Sequence, residues 1–459
     1  MQKMFDRRSP QWRKISARSD DYATRWIPAA VREDMTASPH GHLISMSDYY
    51  GDEGADTGGA GVSALRIADI LRTAGVDLEV VAGFAYPRDR REEIDLTFLG
   101  GADLRTASKT SLFALAAGLW NETARHQVSS LLETRNPANT VIMLHQWTRY
   151  LSPAVLAKVS AFPHVIYVHD YFWACPTGTY YNYRTSEPCQ LLPGGLRCMS
   201  TACDRVGVMQ KGYRVVRHLL KEAAIGQSAE RRIFIHVSDR SRHFLEPLYP
   251  NSTHATIYHP IGFVPEPAAV ERAFDVAYFG RLEPEKGVIE LAAAAKRTGK
   301  KCLFVGNGSE EEKLRERFPE ATIMGWLPRN RVLETMCSCG AVVLPSLWRE
   351  TWGSIVPEAL SQSVPVLVST QAGSSELVTQ FGGGIVFDPS SPAEFDDAII
   401  RVTADRASFS EAAGRAFVSA GLDEPAYVEK FVRLVQNTFD IELCNRPELR
   451  QAAVRIDAT

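Results

Sequence analysis

The chain has 459 residues, 45% of them hydrophobic and 23% charged, more than one ordinary core accommodates, so two domains of roughly 200 residues each are expected. With 51 Lys and Arg against 54 Asp and Glu, the formal net charge of -3 gives no whole-chain reason to expect a nucleic-acid partner. No apolar run approaches the roughly 18 residues that a bilayer span requires, and the polar residues 1–21 lack a secretory core, which predicts a cytoplasmic protein.

Residues 1–40 hold Pro, Ser, Arg and Asp without a sustained apolar period and read as an N-terminal extension. From His42 the pattern alternates: an apolar run at 42–46, a glycine-rich loop, a helical period at 62–73 and a strand at 78–82. A long helical stretch at 111–133 follows, then a strand at 140–144, a helix near Ala154, and strands at 165–168 and 233–237. Strands alternating with helices predict a parallel, doubly wound sheet over 41–258. The segment 259–267, with its prolines and glycine, reads as a linker.

The logic then repeats over 268–424. Strands are expected at 276–279, 302–305, 341–344 and 364–368, with helices at 288–297, 311–317 and 355–362, which makes a second Rossmann-like domain. A last amphipathic helix at 427–439, in the C-terminal part 425–459, presents Val428, Phe431, Val432 and Val435 on one face. It is expected to pack back on the first domain.

After the strand at 276–279, Gly280-Arg281-Leu282-Glu283-Pro284-Glu285-Lys286-Gly287 places two cations at the carboxyl end of the sheet, where ligands of open α/β folds bind. Arg281 and Lys286 suit a diphosphate clamp; two solvated surface cations are the alternative. After the strand at 341–344, Glu350-Thr351-Trp352-Gly353-Ser354-Ile355-Val356-Pro357-Glu358 sets two carboxylates around a helix start. Gly353 lets a ligand approach the backbone, Pro357 is tolerable in a first turn, and the amides of Ser354 and Ile355 would face an anion. The plainer alternative is that Glu358 complements the helix dipole and Glu350 is a loop residue.

Together these residues resemble the retaining glycosyltransferases of family 4, which have the two-domain GT-B fold; the resemblance covers roughly residues 42–440. Its mark is two glutamates separated by seven residues after a proline-serine strand end, here Glu350 and Glu358 after Pro345-Ser346. The resemblance implies that Glu350 contacts donor-sugar hydroxyls and Glu358 the ribose. It implies that amides near Gly353, Ser354 and Ile355 meet the distal phosphate, with Arg281 and Lys286 as the phosphate-binding pair. In the first domain, Gly58-Gly59-Ala60 resembles the loop whose backbone approaches the diphosphate, with Gly59 as the contact and Gly61 standing where an acidic residue is common. His169-Asp170 resembles the His-Asp motif beside the sugar, which makes His169 the first-domain catalytic candidate.

The function implied is retaining transfer of a hexose from a nucleotide-sugar to a glycan or lipid-linked acceptor, in polysaccharide or envelope-glycan synthesis. No cofactor is required and the reaction is expected to be metal-independent, the two cations neutralising the leaving diphosphate. The base would be read by backbone around Gly325, Trp326 and Leu327, which leaves UDP-, GDP- and ADP-sugars open. A nucleotide-sugar epimerase and a non-catalytic nucleotide- or glycan-binding protein are the competing readings.

Two features stand apart. Cys175, Cys189, Cys198 and Cys203 fall in an insert at 174–204, where four soft ligands suit one structural zinc ion, with free thiols or a disulfide as the alternatives; Tyr180, Tyr181 and Tyr183 of the same insert could stack on sugar rings. Next, Lys211, Arg214, Arg217, His218 and Lys221 recur at helical spacing with Val215, Val216, Leu219 and Leu220 between them. Such a basic helix over 211–221 suits peripheral membrane contact at the inner face of the membrane, or the solvated face of a core-packed helix.

Overall fold

The computed structural model describes residues 40–51, 59–85, 95–101, 103, 112–226, 229–261 and 272–444. Residues 1–39 of the extension, Gly58, residues 262–267 of the expected linker and the tail 445–459 lie outside the described residues.

Two parallel sheets organise the chain. The strands of the first half are β1 (His42–Tyr49), β2 (Leu78–Ala85), β3 (Leu96–Phe98), β4 (Thr140–Leu144), β5 (His164–Val168), the short pair β6 (Tyr181–Asn182) and β7 (Glu187–Pro188), β8 (Arg232–His236) and β9 (Thr253–Thr256). Except for the antiparallel β6–β7 pair, they form one sheet in the order β3-β2-β1-β4-β5-β8-β9, every neighbour parallel. The second half contributes β10 (Phe274–Phe279), β11 (Cys302–Val305), β12 (Thr322–Ile323), β13 (Cys339–Leu344), β14 (Val366–Ser369) and β15 (Gly384–Phe387). Their order is β12-β11-β10-β13-β14-β15, again parallel throughout. The central strands are buried on both faces along their whole length, as parallel sheets flanked by helices demand.

This is the doubly wound α/β arrangement expected. In each sheet the chain reverses its direction of winding between two central strands, β1 and β4 in the first and β10 and β13 in the second. Loops leaving the carboxyl ends of such strands diverge and leave a crevice. The helix Glu424–Phe439 buries Tyr427, Val428, Phe431, Val432 and Val435 in the same core as Leu65, Ile67 and Leu71 of the helix Gly59–Thr73, so it does pack back on the first half. Asp423 caps it by accepting the Ala426 N–H at 2.9 Å.

The long helix expected at 111–133 is two helices, Leu112–Leu119 and Glu122–Glu133. Asn121 breaks it: its side chain accepts the Ala124 N–H at 3.1 Å and donates to the Tyr150 carbonyl at 2.8 Å, and its own N–H donates to Ser152 Oγ at 2.9 Å. A residue with three such partners is worth more as a cap than as one more helical turn.

Candidate active site

The two motifs of the second half meet at its switch point. The 280–287 loop leaves β10, the 345–358 segment leaves β13, and Lys286 Nζ lies 2.7 Å from Glu350 Oε1. Ser346 Oγ donates to the other carboxylate oxygen of Glu350. Burial opposes ionisation of Glu350 most strongly, but the Lys286 ammonium and the hydrogen bonds from Lys286, Ser346 and Trp348 outweigh it, so the carboxyl lies below its ordinary range. The backbone of Glu350 is held from both sides, its N–H donating to Gln371 O at 3.1 Å and its carbonyl accepting from Gly373 at 2.9 Å. A partly buried carboxylate so fixed in position and charge suits recognition of hydroxyl groups.

Gly287 and Gly353 are required. Gly287 is left-handed (φ 71°), and a Cβ there would come within 2.0 Å of the Pro345 carbonyl oxygen, so the two loops touch because that residue has no side chain. Gly353 (φ 106°) turns the chain into the helix Ile355–Ser361. The first bonds of that turn are Val356 N–H to Gly353 O and Glu358 N–H to Ser354 O, so the amides of Ser354 and Ile355 lie ahead of them. Glu358 is buried and forms an ion pair of 3.0 Å with Arg329. Arg281 is 60% exposed and only loosely placed against Glu285, at 3.9 Å, so it is able to swing toward a ligand.

The first half contributes His169, directly after β5. Its carbonyl accepts Thr351 Oγ1–H at 2.8 Å, which ties it to the residue following Glu350. Ser238 Oγ donates to the Thr351 carbonyl at 2.7 Å, and Glu376 accepts the Asp239 N–H at 3.0 Å. The structure therefore brings His169, Lys286, Glu350 and Gly353 to one region where the halves meet. Gly59 opens its helix with no heavy atom within 4 Å of a Cβ placed there. Gly61 has no such room: a Cβ would lie 2.7 Å from the Tyr49 ring, which accounts for the missing acidic residue.

Sequence reasoning did not find Arg329, Thr351 or the link from Arg349 Nη2 to Gln190 Oε1 at 2.7 Å. The first and last pair with residues far away in the chain, and Thr351 sits inside the motif without a charge to mark it.

The insert follows the free-thiol alternative, and the basic helix faces the other way from both readings given for it. All four cysteines are free thiols, and among the described residues no group of three or more His, Cys, Asp or Glu is placed to hold a metal ion. The positive charge among these sulfurs is the buried Lys211 ammonium, 3.4 Å from Cys203 Sγ and 3.9 Å from Cys198 Sγ, where the zinc expectation had put a metal. In the helix Val208–Ile225, Lys211, Arg217, His218 and Lys221 are buried, while Met209, Val216 and Leu219 are 92%, 46% and 49% exposed. Arg217 donates to the Thr148 carbonyl at 2.9 Å and lies over the Phe172 ring; Lys221 donates to the Trp173 carbonyl at 2.6 Å and to Tyr249 Oη at 2.7 Å. The basic face therefore points inward and is not available to an anionic membrane. Tyr180 and Tyr181 are likewise buried, so ring stacking on a sugar does not fall to them; Tyr183 is partly exposed.

Residues 264–416 match the family model described as Glycosyl transferases group 1. A GDP-mannose-dependent alpha-mannosyltransferase of Mycolicibacterium smegmatis is 30% identical over 145 residues, 31% of this chain and 38% of the relative. A glycogen synthase of Mycobacterium tuberculosis is 30% identical over 145 residues, covering 29% and 35% of the two chains. The matched stretch spans under half the length of these curated relatives. Among solved structures, sucrose-phosphate synthase from Thermosynechococcus elongatus superposes with a TM-score of 0.65 at 17% identity, over 87% of this chain and 99% of that one. Anabaena HepE in complex with UDP and glucose gives 0.57 at 15%, over 87% and 100%. The fold is thus that of GT-B glycosyltransferases, and the chain carries, over residues 264–416, a domain of the glycosyl transferases group 1 family.

Proposed function

We propose that the protein is a retaining glycosyltransferase that moves a hexose from a nucleotide-sugar to a glycan or lipid-linked glycan. The observation that supports this most directly is the Lys286–Glu350 pair beside Gly353, at the switch point of the sheet within the family-matched residues. In this reading Glu350 receives donor-sugar hydroxyls and Glu358 the ribose. Lys286 and a reoriented Arg281 take the diphosphate together with the amides of Ser354 and Ile355, and Gly59 comes close to it from the first half. His169 lies against the sugar.

The bond from the anomeric carbon to phosphate oxygen breaks as the acceptor oxygen bonds to the same face, and the acceptor proton passes to the departing phosphate oxygen. Stabilisation of that leaving group by two cations and oriented amides is the main rate term, and it makes a metal unnecessary. Related sequences named as GDP-mannose-dependent and a similar fold solved with UDP-glucose put GDP-mannose and UDP-glucose at the head of the donor panel.

The test is a thermal-shift screen against UDP-, GDP- and ADP-sugars, followed by product analysis with and without EDTA. A donor at 100 times its dissociation constant contributes about 2.7 kcal/mol to the folded state. Stabilisation by one donor, transfer that survives EDTA and a product of retained anomeric configuration are expected. Stabilisation without transfer to any glycan would favour a binding protein.

A further inference from the structure

His169 is not alone after its strand. His145, directly after β4, places Nδ1 2.8 Å from His169 Nε2. His145 is 2% exposed, its N–H donates to the Met46 carbonyl at 2.9 Å, and its ring stacks on Tyr167. The His169 ring lies in a cluster with Tyr167, with ring centroids 4.9 Å apart and planes at 22°, and His259, at 5.3 Å and 12°, those two rings being 5.4 Å from each other. Neither imidazole is free to turn without breaking these stacks.

One proton lies between the two facing nitrogens, and the far nitrogen of His145 decides which imidazole owns it. His145 Nε2 is buried without a hydrogen-bond partner. Were it protonated, an N–H would be stranded in the core; as a bare lone pair it costs less, and orphaned buried N–H groups are the rarer case. His145 then carries its proton on Nδ1 and donates to His169 Nε2, and His169 carries its own on Nδ1.

A second pair in the same sheet follows the same rule with its tautomers forced. His254 Nε2 faces the Tyr249 carbonyl at 3.0 Å and must donate to it, so His254 Nδ1 accepts from His236 Nε2 at 2.8 Å. The orphaned atom there is His236 Nδ1, which is left as a lone pair. Burial, foremost, keeps the first pair neutral, pushing His169 down to about 3 and His145 well below its ordinary value.

We infer that His145 is a positioning residue that fixes His169 as the Nδ1–H tautomer, so that His169 meets its ligand as a neutral hydrogen-bond donor to a sugar oxygen and not as a base through Nε2. The inference rests on the placement of His169 in the sugar-transfer site, but the tautomer itself does not. The two histidines come from adjacent strands and share one hydrogen bond, so the orientation of the donor group is set by the register of β4 on β5.

The test uses the full chain labelled with 15N-histidine, with long-range proton–nitrogen spectra and His169→Gln to assign the His169 signals. A protonated Nδ1 and an unprotonated Nε2 on His169 are expected; a protonated Nε2 overturns the inference whatever the protein transfers. His145→Phe, which keeps bulk but loses the donor, should shift His169 toward the Nε2–H form and lower kcat about tenfold, with nucleotide diphosphate affinity unchanged. His145→Gln, which can still donate, should recover most of both. If both variants keep the wild-type His169 spectrum, His145 does not set the tautomer. If the spectra behave as expected but no nucleotide-sugar is turned over, the tautomer assignment stands and the functional reading fails.

Discussion

Lys286 and Lys221 are both buried ammonium groups, and their partners differ in kind. Lys286 faces the Glu350 carboxylate at the end of a sheet and lies over the Trp348 ring. Lys221 donates to the Trp173 carbonyl, to Tyr249 Oη and to Glu222, and desolvation pushes it down to about 8. The first arrangement holds a cation and a carboxylate together where a ligand with phosphates and hydroxyls can take over both. The second saturates a cation with backbone and side-chain oxygen atoms deep in a helix contact. A buried positive charge therefore marks a site only when its partner is exchangeable.

The largest effect should come from removing the exchangeable partner. Glu350→Gln is expected to lower kcat about 100-fold, because one preorganised charge is lost at the reacting sugar. Glu358→Ala should instead weaken nucleotide binding about tenfold, read by titration. Equal activity of both variants and wild type would remove the proposed site.

Lys221→Met should invert that pattern. It removes the donor shared by the Trp173 carbonyl, Tyr249 Oη and Glu222, leaving the Trp173 carbonyl only the Tyr249 hydroxyl, and costs about 2 to 3 kcal/mol of stability, measured by denaturant unfolding, while transfer per folded molecule stays at the wild-type level. A Lys221→Met protein of normal stability and impaired transfer would erase the distinction between the two lysines.

Acid should act on the first half through its histidines. Burial lowers His164 and His218 to about 4, His169 to about 3 and His236 to about 2, with His145 and His259 also well below their ordinary value. The unfolded chain binds these protons near pH 6.5 and the folded chain does not, so their contribution is complete above that pH and is lost progressively as pH falls toward the folded values. Tm should be level above pH 7 and drop steadily from pH 6.5 to 5, more steeply than in a His164→Phe variant. The smallest effect belongs to the outward face of the basic helix: Leu219→Lys should change stability by no more than about 0.5 kcal/mol.

The two motifs proposed to bind the donor are legible because their geometry is local. Glu350, Gly353 and Glu358 lie within nine residues at a strand-to-helix turn, and strand periodicity alone places that turn at a sheet end. His145–His169 and Arg329–Glu358 join residues whose separation in the chain carries no signal. The Val208–Ile225 helix was legible as amphipathic but not in its sense, because spacing shows that two faces differ and is silent on which one finds partners inside. The break at Asn121 escaped for a similar reason: its partners Tyr150 and Ser152 come from a turn and the helix start after it, roughly thirty residues on.

Thr351 is bonded to the first half twice, through its hydroxyl to His169 and through its carbonyl to Ser238, and it follows Glu350 directly. Sliding one sheet over the other by a single hydrogen-bond length breaks both links and displaces the carboxylate. Inter-sheet registry and readiness for transfer are thus one degree of freedom. Mild heat or denaturant that loosens this seam should silence the protein while both sheets are still intact, so loss of activity precedes loss of structure.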